Sequence, residues 1–148
     1  MIQPDDEALK ARLTLAEGRV EYAYEDSLGF LTIGIGHLID RRKGGALPGP
    51  IIDALYAYDV AAKFGELDAA FPWWKQLDDA RQRVMAELVF NMGAHGLSQF
   101  TKFLAAMQSG DWATAGAELK DSRAYQQEPH RFDALIAAIE APDAPAMA

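Results

Sequence analysis

The chain has 148 residues, half of them hydrophobic and 24% charged, with a formal net charge of −8 and no cysteine. A chain of this length buries roughly 70% of its unfolded surface, which suits one domain or two small lobes sharing a helix. The acidic balance argues against a nucleic-acid partner, which draws its affinity from clustered Lys and Arg, and the missing cysteine excludes disulfides, thiolate metal sites and a cysteine nucleophile.

Met1 to Glu7 is acidic, so no signal peptide is read there, and apolar runs such as Phe30 to Ile35 fall far short of the ~20 residues of a membrane span. Asp5 and Asp6 precede Leu9, Leu13 and Ala16 at helical spacing, which predicts a capped helix over 6–17 with Glu17 in its last turn and Gly18 as the stop. Val20, Tyr22 and Tyr24 then alternate at the period of a strand. Asp26-Ser27-Leu28-Gly29 has turn chemistry, and Phe30 to Ile35 forms a second strand.

The segment from Asp40 to Pro50 mixes Gly and Pro with the Arg41-Arg42-Lys43 run and reads as an exposed connector. Pro50 opens a long helix through Ile51, Ile52, Leu55, Tyr58, Asp59 and Ala62. Beyond Phe71-Pro72-Trp73-Trp74, further helices are predicted at about 77–91, 98–108, 111–121 and 129–140. Residues 141–148 have too little apolar bulk to pack and read as a frayed tail. The fold class is therefore α+β and mostly helical: a small β-hairpin lobe over 18–49, and a helical lobe over 50–140 to which the N-terminal helix at 5–17 belongs.

One short stretch concentrates the chemistry. Glu17, Asp26 and Thr32 lie where a helix end runs into a glycine-rich hairpin, and two carboxylates with a hydroxyl supply a proton donor, a water-activating base and a water-positioning group. A general acid must stay protonated near neutral pH, which burial favours; Glu17 at a helix–sheet seam is the residue to be shielded, and Asp26 in a polar turn the one to stay ionised. In Thr32-Ile33-Gly34-Ile35-Gly36-His37 the small residues strip one strand face of every side chain but Thr32. That leaves room for a ligand, or equally for close helix packing.

The whole pattern resembles the phage-type lysozymes, glycoside hydrolase family 24. The match runs from Glu17-Gly18 through Tyr24, Asp26 and Gly29 and is densest over Thr32 to Leu38. A second block, Val89 to Gly93 with Gly96, Phe100 and Thr101, looks like the family's central helix. A third covers Asp111-Trp112, Ala117, Ser122-Arg123, Tyr125, Gln127, Pro129 and Arg131.

The resemblance implies hydrolysis of the β-1,4 bond between N-acetylmuramic acid and N-acetylglucosamine in peptidoglycan by an inverting mechanism. Glu17 would be the general acid, with Asp26 and Thr32 holding and activating water. It implies Leu38 and Phe90 as apolar cleft walls, Asn91 and Gln127 as sugar-bonding amides, Arg131 as an arginine reaching the acid, and His37 with Asp59 as a structural pair. No metal or cofactor is expected. The expected partners are peptidoglycan strands, with no membrane insertion and a monomeric state. The enzyme would be made in the host cytoplasm and act on the wall layer, either released through a holin pore during lysis or as part of a phage tail assembly. A non-catalytic glycan-binding module of the same fold and a lytic transglycosylase are the alternatives.

The sequence also departs from the family. Phe103 and Glu118 stand where its best-known member has small polar residues that contact substrate, and Ala124 replaces a tryptophan. Only twenty-one residues separate His37 from Asp59, so the family's third strand and short helix are expected to be missing or vestigial.

Overall fold

The computed structural model describes residues 3, 5–40 and 47–142. Residues 41–46, with the Arg41-Arg42-Lys43 run, and most of the expected tail, 143–148, lie outside the described residues. The chain divides into two compact units, one ending at Leu55 and the other beginning at Tyr56.

The first unit opens with helix α1, Glu7–Glu17, whose N-cap Asp6 accepts the Leu9 N–H at 2.7 Å. That bond satisfies one of the donors every helix start leaves open. Strands β1 (Val20–Glu25), β2 (Leu31–Gly34) and β3 (His37–Asp40) then form one antiparallel sheet in the order β1-β2-β3. The expected two-stranded lobe is thus corrected to three strands. Ile35-Gly36 turns the chain tightly enough that His37 pairs with Ile33 and Leu38 with Thr32, so four residues suffice for the third strand. Helix α2, Gly49–Ala70, begins in this unit and ends in the second.

The second unit holds the rest of α2, a 3-10 turn at Pro72–Gln76, and helices α3 (Asp79–Ser98), α4 (Thr101–Ser109), α5 (Trp112–Lys120), α6 (Arg123–Gln127) and α7 (Pro129–Glu140). Its core follows helical spacing: Val84, Met85, Leu88 and Val89 from α3, Phe103, Ala106 and Met107 from α4, and Phe132, Leu135 and Ile139 from α7 are all buried. Each large apolar side chain so placed contributes about 1.5–3 kcal/mol relative to exposure. Helix α3 outruns its expected end at residue 91 by seven residues, because it kinks at Gly93 and continues to Ser98.

Arg81 is 1% exposed and locks this unit's far end. Its guanidinium donates to Ile139 O at 3.0 Å, to Ala141 O at 2.7 Å and to Asp78, and it stacks 3.9 Å over the Trp112 ring. Asp78 also caps α3, accepting from Ala80 N and Arg81 N. Burial pushes its carboxyl upward, but the Arg81 bonds and charge outweigh that and hold it below the usual range.

Candidate active site

Three local devices in the first unit position Glu17, Asp26 and Thr32. Helix α1 ends at Glu17, where the Gly18 N–H closes on Thr14 O at 2.9 Å and the chain turns toward β1. The Glu17 side chain lies against the β2–β3 turn, its Cγ, Cδ and Oε2 beside Gly36. The seam of helix and sheet does not enclose it, however: Glu17 is exposed within this unit.

Asp26 folds its own turn. Its Oδ1 accepts from Leu28 N and Phe30 N, both at 2.9 Å, while its backbone N–H donates to Phe30 O and its carbonyl accepts from Gly29 N, again at 2.9 Å each. The carboxylate is thereby fixed in orientation. Both side-chain bonds fall on Oδ1, and Oδ2 has no hydrogen-bond partner among the described residues.

Thr32 is 5% exposed at the centre of the sheet, paired with Tyr24 on β1 and Leu38 on β3. Its Oγ1 donates to Phe30 O at 3.2 Å, which leaves the hydroxyl lone pairs free to accept. Phe30 therefore links the two polar groups: its N–H binds Asp26 and its carbonyl binds Thr32. Leu38 is 37% exposed and His37 is exposed, both on β3.

The remaining candidates belong to the second unit. Asp59 is exposed on α2, Asn91 on α3 and Gln127 at the end of α6. Phe90 is 47% exposed and, with Arg131, lines an open depression of about 450 Å³ that also includes Lys63, Phe64 and Glu87. Within this unit Arg131 donates through Nε to Glu87 at 3.0 Å and through Nη1 to Glu128 at 3.3 Å.

Phe103 is buried in the core near the start of α4 and forms part of the lining of the depression that holds Glu118. Glu118 lines a second depression of about 480 Å³ with Thr101, Lys102, Ser122 and Ala124, its Oε1 4.0 Å from Lys102 Nζ. Sequence reasoning also passed over Glu66, whose carboxylate bonds Lys63 and the Ala94 N–H. A single glutamate on a long helix gives no sequence signal of such a contact.

The profile of the phage lysozyme family matches residues 14–137. The chain belongs to the phage lysozyme family. It is accordingly an enzyme of the glycoside hydrolase class.

Two relatives match over nearly their whole length and a third over part of its length. The Dictyostelium discoideum proteins named Probable T4-type lysozyme 2 and Probable T4-type lysozyme 1 are 30% and 31% identical over 159 residues, which covers 90% of this chain and 94% of each relative. The pre-baseplate central spike protein Gp5 of Enterobacteria phage T4 is 30% identical over 140 residues, 78% of this chain and 24% of that protein. Among the described residues of this lysozyme-family chain, no helix is long and apolar enough to cross a membrane.

Proposed function

We propose that the enzyme is a muramidase, hydrolysing the β-1,4 bond between N-acetylmuramic acid and N-acetylglucosamine in peptidoglycan. The observation that carries this reading is the set of Glu17, Asp26 and Thr32 on one helix end and one hairpin, in a chain of the lysozyme family. Glu17 protonates the leaving oxygen as the glycosidic bond breaks. Asp26 takes a proton from the attacking water, which the Thr32 hydroxyl holds in place. Asp26 is supported in that role by Oδ1 being tied to two N–H groups while Oδ2 has no partner among the described residues.

A base acting through water inverts the anomeric carbon and needs its carboxyl roughly 6.5–9.5 Å from the acid, against about 5 Å when the second carboxylate attacks directly. Proton NMR of freshly cleaved glycan tests this: an α-anomer first supports inversion, a β-anomer first contradicts it. Leu38, Phe90, Asn91 and Gln127 serve as sugar contacts, Arg131 supports the acid, and His37 with Asp59 is structural.

The wall-cutting activity serves either host lysis or a phage tail device. The tail reading is favoured by the net charge of −8, which offers no long-range attraction to an anionic wall, and by the similarity to a phage spike protein. Location of the gene beside a holin gene would contradict it.

Mass spectrometry of the products of purified peptidoglycan tests the reaction class. Hydrolysis leaves a reducing N-acetylmuramic acid end, one water heavier than the anhydro end of a lytic transglycosylase. Anhydro products alone would overturn the muramidase reading.

A further inference from the structure

Helix α3 is broken in place at Gly93, whose φ of 72° and ψ of 163° lie in a region held almost only by glycine. Beyond the break the helix restarts at Ala94, and the N–H groups of a helix start need acceptors from outside it. One comes from a different helix. Glu66 of α2 accepts the Ala94 N–H on Oε2 at 3.0 Å, while its Oε1 holds Lys63 Nζ at 2.6 Å. The same Oε2 lies 3.9 Å from where a β-carbon on Gly93 would stand, so the carboxylate sits directly over the kink.

The Lys63 bond first, then the Ala94 N–H, hold the Glu66 carboxyl below the usual range, which makes it a charged acceptor and a stronger cap than a neutral one. Phe90 and Asn91 occupy the last turn before the kink, and Lys63 lines the same depression as Phe90 and Arg131. The direction in which that turn presents its side chains depends on how the kink is fastened.

We infer that Glu66 is a positioning residue for sugar binding: by capping Ala94 across from α2 it fixes the α3 kink and holds Phe90 and Asn91 in one orientation. The inference rests on the reading of Phe90 and Asn91 as sugar contacts. Glu66 itself touches neither substrate nor reacting atoms.

The test uses full-length protein and soluble, uncrosslinked peptidoglycan strands. Glu66→Ala should raise KM about 3–10-fold with kcat within about twofold, and should accelerate hydrogen exchange at the Ala94 amide. Glu66→Gln, which keeps an acceptor oxygen for Ala94, should restore KM to within about twofold of wild type. Glu66→Asp, one methylene shorter, should give the Ala-type split in smaller measure and replaces it if Glu66→Ala fails to fold.

Wild-type KM in Glu66→Ala while Phe90→Ala and Asn91→Ala raise it would overturn the inference alone. So would a fall in kcat at unchanged KM that tracks a lower Tm, or an equal KM rise in Glu66→Gln, which would point to the Lys63 pair. Unchanged KM in Phe90→Ala and Asn91→Ala would overturn the sugar-contact reading, and this inference with it.

Discussion

Gly36 gives Glu17 its place: a β-carbon on residue 36 would stand 3.0 Å from Glu17 Cγ and 3.1 Å from its Cδ and Oε2. Gly36 also has a φ of +64°, where an L side chain is strained. Gly36→Ala should therefore cost about 1–2 kcal/mol of stability and displace the carboxyl group, with kcat falling at least about tenfold. Gly34→Ala is the control, because φ is +69° there but a new β-carbon would meet nothing within 4 Å. It should lose comparable stability in thermal melts while keeping most of its turnover.

Thr32 offers a separate test of the water site. Thr32→Val keeps the shape but removes the hydroxyl, which should lower kcat by about 10²-fold or more and cost only about 1 kcal/mol for the unpaired Phe30 carbonyl. Thr32→Ser keeps the hydroxyl and should remain within about tenfold of wild type. Turnover of purified wall fragments and urea melts measure the two effects.

Asp78 contributes to the acid stability of the helical unit. Its carboxyl is held below the usual range in the folded state, so its contribution is fully present above the unfolded value of about 4 and is lost as pH falls through the lower folded value. Asp78→Asn should flatten that acid limb of the stability curve. Near neutral pH it should cost about 2 kcal/mol, less than the ~3–5 for a fully buried pair, because Arg81 is buried but the Asp78 side chain keeps 32% of its surface exposed. Chemical melts across the acid range report both.

The parts of the fold that are local in sequence were legible, and those set by contacts from elsewhere were not. Asp6, Gly18 and the Asp26 turn announce their own boundaries, since each makes its bond within four residues. Strand β3 escaped because four residues with adjacent Leu38 and Ile39 show no alternation, and the short distance to Asp59 suggested that nothing would fit. The 3-10 turn at Pro72–Gln76 and helix α6 are too brief to display a period. Ala94, just past the kink at Gly93, donates to Glu66 twenty-eight positions away, so no local pattern marks that contact. At the candidate site the Asp26 turn is written in sequence, whereas the place of the Glu17 side chain against Gly36 depends on how α1 meets the sheet.

Glu17→Gln tests the central claim most directly. The amide matches the carboxyl in size but has no proton to give, so the variant should keep the wild-type circular dichroism and Tm while release of reducing ends from purified peptidoglycan disappears. Wild-type-like release by a folded Glu17→Gln protein would contradict Glu17 as the general acid.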